Sequence, residues 1–568
     1  MRKQTKVVAV ASAAALLAIG ASMTSFAATG WQEEDGVWYY YDSDGNRVED
    51  EWKKSGNNWY WLDSEEDGAM ATDKLIDDDG DIYYVDANGV MVTNTWVKVV
   101  NEDQDDDDLA EYRYYYMQGS GKAYTATDTN TVRFRTIDGK RYAFDDDGKM
   151  LYGWVSEDGD MQNEEDGWVE ATYYLGSWED GAMKTGWQKV TVHDDEEDDD
   201  MDYWFYFKSN GKKELSDSSE SIKEKKVNGK RYGFDERGVM TYQWTVTTGS
   251  GATSSDWKYF NSPEDGARMT KGWFKVVAPL DDNDNTFKDY DNTFAATDAD
   301  EENERWYYAD GDGNLATGEI KKINGKYYAF RPEGDGKTSA MLSGLVLLRT
   351  EGDKVVEVLD DGVDGDELSD ILDGTTKVPA DATLFYFGDA DTDGSMKTGS
   401  TTVSVDGDTY SFLFSKSGGA ESKGRGLTGI DDNKYIYKYG CRIKADSDDK
   451  YQVVQVTDAN GGSDAIDVNA EGVKVVKMDA SDLRTGAQSF KNDDDETVRY
   501  SVLGGDNYYL VNTSGSIQKN KTAAKDGDDW YFYVEDRDVK LYANNKNLDD
   551  RDTDEKESWE DWAGIVEE

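Results

Sequence analysis

One histidine, His193, and one cysteine, Cys441, are all that 568 residues offer for relay catalysis. A Ser–His–Asp or Cys–His arrangement therefore has a single base to draw on, and His193 opens the acidic run that ends at Asp200. Zinc sites built from His and Cys are excluded by the same count. Carboxylates are plentiful, 120 Asp and Glu in all. Two would serve a glycosidase, but none stands in an apolar stretch that marks it as a proton donor. The chain is read as a non-enzyme. Asp389-Ala-Asp391-Thr-Asp393-Gly394 has the early carboxylates and the glycine of a calcium loop, yet Ser400 stands where the closing Glu belongs. Asp389, Asp391 and Asp393 are thus a calcium candidate with an ordinary hairpin turn as the favoured reading, and no other cofactor is implied.

Aromatic rings remain, and they are abundant: 18 Trp, 37 Tyr and 17 Phe. Ring faces attract cations that cannot donate strong hydrogen bonds, such as quaternary ammonium groups. They also stack on flat sugar faces, while Asp and Asn bond the hydroxyls. The candidate cage rings are Trp31, Trp38, Tyr40, Trp52, Trp59, Trp154, Trp187, Trp204, Trp273 and Trp306. For any one of them, packing between neighbouring elements is the simpler role. Both a Gly-Trp tryptophan and a strand tryptophan are present near Trp31/Trp38, Trp187/Trp204 and Trp273/Trp306, so complete cages are expected there.

The elements that position these rings repeat along the chain. Trp31 and Trp52, Trp38 and Trp59, and Met70 and Met91 each share a 21-residue step. Aromatic runs such as Trp38-Tyr-Tyr-Tyr41, Trp59-Tyr-Trp-Leu62 and Trp204-Phe-Tyr-Phe207 are β-formers without helical spacing. Asn228-Gly229, Asn324-Gly325, Asp138-Gly139 and Asp406-Gly407 precede or split such runs, and these pairs suit tight hairpin turns. The fold class is all-β: an elongated solenoid of stacked short hairpins, with a degenerate β-rich C-terminal half. Acidic inserts at 101–109, 193–202 and 281–303 are expected as solvated loops, and Cys441 as a half-buried structural thiol. Met183 is expected to fill the gap between stacked hairpins.

Gly30-Trp31, then Gly36-Val-Trp38-Tyr39-Tyr40, then Gly45, followed in other copies by Gly181-Ala-Met183-Lys-Thr185-Gly186-Trp187, resembles the choline-binding, or cell-wall-binding, repeat. The resemblance covers 30–331 well and 384–542 loosely. It implies attachment to choline on teichoic acids, or to glucans in related repeats, on the surface of a Gram-positive bacterium. It also implies cages between consecutive hairpins, walled by the Gly-Trp tryptophan and strand aromatics. Departures are present: Gly-Trp becomes Glu51-Trp52, Thr95-Trp96 and Gln243-Trp244.

Arg2, Lys3 and Lys6, the apolar run 7–20 and Ser25-Phe26-Ala27 read as a secretory leader ending at residue 27. The expected organisation is leader 1–27, repeat array 28–335, degenerate repeats or a small β domain 336–542, and acidic tail 543–568. A net charge of −58 argues against nucleic acid and anionic lipid as partners. The functional expectation is a secreted wall-attached protein that binds choline without inserting into a membrane. A glycan-binding adhesin or matrix protein, and a structural surface protein with decayed cages, are the alternatives.

Overall fold

The structure is a computed structural model that describes residues 29–546 apart from 105–109, 127–130, 196, 220, 264–269, 281–284, 295–302, 421, 493 and 506, together with 548, 558 and 559. The expected leader and most of the acidic tail lie outside the described residues. The chain divides into two compact units, residues 1–241 and 242–568.

In the first unit a five-stranded sheet holds two hairpins, Gly30–Glu34 with Val37–Tyr41 and Glu51–Ser55 with Asn58–Asp63, joined through Ala69–Met70. Separate antiparallel hairpins follow, among them Thr95–Val100 with Tyr112–Met117, Gly186–Asp194 with Asp199–Phe207, and Lys223–Val227 with Lys230–Phe234. The second unit continues with Trp244–Val246 and Trp257–Tyr259, Gly272–Val276 and Arg305–Ala309, and Ile320–Ile323 and Lys326–Ala329. Larger sheets come after these: three strands between Leu345 and Tyr386, five between Gly399 and Arg442, and eight between Tyr451 and Ala543. One nine-residue helix, Gly365–Asp373, is set by a capping box in which Asp364 and Glu367 satisfy each other's backbone N–H groups.

The tight turns are those the sequence demands. Asn228 and Gly229 sit at φ 49° and 86°, Asn324 and Gly325 at 49° and 88°, the paired positive angles of a two-residue hairpin loop. Beyond each hairpin an Asp-x-x-Gly turn closes on its own side chain. Asp86, for example, accepts the N–H groups of Asn88 and Val90 at 2.9 Å, and its carbonyl accepts that of Gly89.

Successive hairpins are joined by one residue that follows this turn. The N–H of Met91 donates to the carbonyl of Trp59, that of Met150 to Tyr114, that of Met183 to Arg141 and that of Met240 to Trp204, all at 2.7–2.9 Å and all on the preceding hairpin. In the second unit Met341 bonds Trp306, and Met396 bonds Tyr327, in the same way. The methionine side chain reaches in the opposite direction. Met91 lies on the turn glycine Gly121, Met150 on Gly181, Met183 on Gly211, and Met396 on Gly424, where a Cβ would collide with the thioether. Each such methionine therefore links three consecutive copies, which makes the contacts of a hairpin chiefly those with its neighbours.

Two expected loops are different in kind. The insert at 193–202 is paired rather than looped: His193 and Asp194 sit opposite Asp200 and Asp199 at the end of one long hairpin. The apolar alternation that begins at Val190 and Val192 carries the ladder into the acidic segment. Within 281–303 the described part is anchored by Phe287 and Phe294, both buried, and Phe294 packs on Trp244. Cys441 is fully buried, not half-buried, in the core with Phe412 and Phe414.

Candidate functional site

Four ring clusters of the repeat share one register. The tryptophan of the first strand stands opposite the third residue of the aromatic run: Trp31 opposite Tyr40, Trp52 opposite Trp61, Trp187 opposite Tyr206, Trp273 opposite Tyr308. A residue with positive φ delivers the chain into that strand. Gly186 has φ 75° with open space where a Cβ would be, so its backbone angle alone explains the glycine. Asp50, Asn94 and Gln243 adopt φ near 50° ahead of Trp52, Trp96 and Trp244, which is how the Gly-Trp departures are accommodated.

The fullest constellation surrounds Trp187. Tyr206 of its own hairpin lies 5.1 Å away at 67°, and Tyr232 of the next lies 4.6 Å away at 62°. Phe234, fully buried, runs nearly parallel to the indole at 5.7 Å, and Trp204 stands almost perpendicular at 6.3 Å and 84°. Trp187, Trp204 and Tyr232 are all part-exposed, so two perpendicular indoles and a phenol wall an accessible corner. Trp273 repeats the arrangement. Its neighbours are Tyr308 at 5.2 Å and 67°, Tyr328 at 4.7 Å and 65°, Phe330 at 5.7 Å and 27°, and Trp306 at 6.4 Å and 84°.

Other copies are variants of this plan. Trp31 keeps Tyr40 (5.4 Å, 85°) and takes Tyr60 (5.3 Å, 72°) from the next hairpin, with Trp38 two residues before Tyr40 on the same strand face. Trp52 contacts Trp61 and Tyr83 and donates its indole N–H to Asp78, while Trp59 is 39% exposed at the strand end. Trp96 has Tyr116, Tyr142 and a tilted Phe144. Trp96 was not among the expected cage rings, although Trp52, which departs from Gly-Trp in the same way, was. Tyr232 and Tyr328 were not expected as walls because their runs, read as strands of the repeat, begin with Arg231 and Tyr327 in place of Trp.

Two of the tryptophans that open hairpins, Trp244 and Trp154, are withdrawn from access. Trp244 is fully buried among Tyr259, Phe274, Phe294 and Tyr307, with its indole N–H on the Val277 carbonyl. Trp154, expected among the cage rings, is 8% exposed, and a cation already lies over it. The ammonium of Lys213 sits 5.5 Å from the Trp154 centroid and 6.0 Å from that of Phe205. It donates to the carbonyls of Trp168 (2.6 Å) and Val169 (3.0 Å). Lys213 takes the methionine position of the repeat: its N–H bonds Thr172 of the preceding hairpin, and its stem lies on Gly238. Burial pushes its pKa down to about 7, partly countered by Asp235 nearby, whose carboxylate is held by Arg237. No feature of Lys212-Lys213 in the sequence distinguishes this buried ammonium from a solvated one.

At the calcium candidate the carboxylates already have partners. Asp391 pairs with Lys275 at 2.9 Å, and Asp393 with Lys326 at 2.6 Å and with Lys397. Those lysines hold the Asp393 carboxyl far below the usual carboxylate range. Asp389 accepts the N–H of Asp391 and closes the turn. Among the described residues no group of three or more acidic, His or Cys side chains is arranged to hold a metal ion. His193 faces Asp200 at 3.4 Å and Asp195 at 3.8 Å.

Residues 28–66 and 52–96 match the family model of the choline-binding repeat, so the chain carries choline-binding repeats in its first hairpins. No curated protein matched. Among solved structures, CbpJ from Streptococcus pneumoniae is 17% identical, with 68% of this chain and 98% of that chain covered at a TM-score of 0.30. Choline-binding protein F from the same organism is 16% identical over 73% of this chain and 100% of that chain (TM-score 0.26). The modular autolysin LytC of S. pneumoniae is 17% identical over 57% of this chain and 55% of that chain (TM-score 0.29). In the described residues no helix is long and apolar enough to cross a membrane.

Proposed function

We propose that this chain is a secreted, non-enzymatic surface protein that holds itself to a bacterial cell wall by binding choline on teichoic acid in ring-walled corners between successive hairpins. The single observation that carries the reading is the near-identity of the Trp187 and Trp273 constellations. Two copies with different intervening sequence keep four ring contacts within 0.1 Å and about 3° of each other. Core packing alone tolerates exchange of ring types, as the Leu62 and Val85 replacements at the Phe234 position illustrate. A quaternary ammonium needs several ring faces at once and no hydrogen-bond acceptor, and perpendicular part-exposed indoles supply that. On this reading the hairpins form a solenoid whose repeats present cages at Trp187 and Trp273, with Trp31, Trp52 and Trp96 as sparser versions.

Choline titration of tryptophan fluorescence, and elution of the bound chain from choline-bearing walls by free choline, test the proposal. Trp187→Ala and Trp273→Ala should each weaken retention, and the double variant should weaken it more than either. Undiminished retention in a folded double variant would rule these corners out as the site.

A further inference from the structure

The Trp154 corner repeats the ring plan of Trp187 with two changes. Tyr174 stands opposite Trp154 in the same hairpin at 4.7 Å, and Phe205 and Phe207 of the next hairpin lie 5.1 and 6.0 Å away. These are the places that Tyr206, Tyr232 and Phe234 take about Trp187. The backbone bond between copies fixes the rest of the correspondence. Met240 donates to Trp204 and Met341 to Trp306, whereas Lys213 donates to Thr172. This copy therefore has Thr172 in place of the strand tryptophan and Lys213 in place of the methionine. Where that indole is missing, the single helical turn Gly167–Glu170 brings up the carbonyls of Trp168 and Val169. Both accept from the Lys213 ammonium, which also lies over the faces of Trp154 and Phe205. A quaternary ammonium has no N–H for such carbonyls and would leave them unpaired. A primary ammonium satisfies the rings and the carbonyls together.

We propose that Lys213 is the resident ligand of the Trp154 corner, a tethered primary ammonium that closes this corner to choline. Emptied of that side chain, the corner is a site for a primary alkylammonium and not for a quaternary one. The exclusion of choline has meaning only if the Trp187 and Trp273 corners are choline cages, as read above; the alkylammonium site does not rest on that reading. Tethering removes the cost of bringing in a separate cation, so this joint between copies is complete without anything from outside the chain.

The test is chemical rescue in the full chain carrying Trp187→Ala and Trp273→Ala, so that neither proposed cage contributes. Lys213→Ala removes the atoms of n-propylammonium, and urea unfolding is followed by fluorescence with the chloride of that ion or of tetramethylammonium at equal ionic strength. Propylammonium should raise the urea midpoint of the Lys213→Ala chain, as a ligand of the folded state does, and leave the chains with Lys213 or Lys213→Met unmoved. Tetramethylammonium should move none of them. No rise with propylammonium, an equal rise with Lys213 in place, or an equal rise with tetramethylammonium would overturn the proposal. If Lys213→Ala folds only when propylammonium is present, that recovery is the expected rescue, and failure to recover counts against it. In the parent chain, reductive methylation read by peptide mass spectrometry should mark the part-exposed Lys212 and spare Lys213, which is 3% exposed. Methylation of Lys213 in the native protein would also overturn the proposal. Choline that leaves the parent midpoint unchanged, with the propylammonium rescue intact, would refute the cage reading and leave the tethered ammonium standing.

Discussion

Replacing Lys213 by Met restores the residue type that most copies carry at this position, and its effect should depend on pH in a calculable way. The lysine titrates near 10.5 when free and at about 7 in the folded chain, so the unfolded chain binds more protons between those values. Stability therefore rises with pH across that window and is lowest, as far as this group is concerned, below pH 7. From those two values the burial cost is about 4–5 kcal/mol at pH 6 and about 2 kcal/mol at pH 9. Met removes this cost but leaves the carbonyls of Trp168 and Val169 without the ammonium donor, a penalty of about 1–3 kcal/mol that does not vary with pH. The variant should thus be more stable than the parent at pH 6 and close to it at pH 9. The difference between the two should shrink by about 2–3 kcal/mol over that range. Urea unfolding followed by tryptophan fluorescence at pH 6, 7, 8 and 9 measures it, and taking the difference cancels the titration of every other group. Parallel pH profiles for parent and Lys213→Met would refute the buried ammonium.

Gly211→Ala should destabilise by about 1–3 kcal/mol, because φ is 89° and Met183 occupies the Cβ position; in a Met183→Ala background the cost should fall to the backbone part, about 1 kcal/mol. Equal costs in both backgrounds would show that the methionine does not rest on the turn. The Cys441 thiol, raised to about 12 by burial, should resist a thiol reagent at pH 8 until the chain unfolds; rapid labelling of the native protein would contradict its place in the core.

Much of the hairpin plan was legible because it is written in short range. Asn-Gly and Asp-Gly pairs dictate their own turns, and the run Trp38–Tyr41 alternates across its strand without help from elsewhere. The ring contact of Trp187 with Trp204 was legible for the same reason, both residues being in one hairpin. What escaped was the contribution of the following copy. Tyr232 and Tyr328 complete corners that begin about 45–55 residues earlier, and nothing local in Arg231-Tyr232 marks a wall. Burial also reverses expectation where long-range packing decides: Trp154 was expected as an open ring, and Lys213 covers it. The acidic insert at 193–202 misled because its charge outweighed the Val190/Val192 alternation that extends the ladder.

The methionine that bonds backward to one hairpin and rests on the glycine of the next has a consequence for how such a chain can grow. Each joint is made of two halves held by different copies, a Met from one and a Gly from its successor. A gene segment cut at equivalent points in two copies carries one half of each kind, so it fits wherever it is inserted or removed. Tandem duplication or loss of whole copies then leaves every junction matched, whereas a point change at either half strands its partner. Met183 and Gly211 should accordingly vary together across lineages that have gained or lost copies.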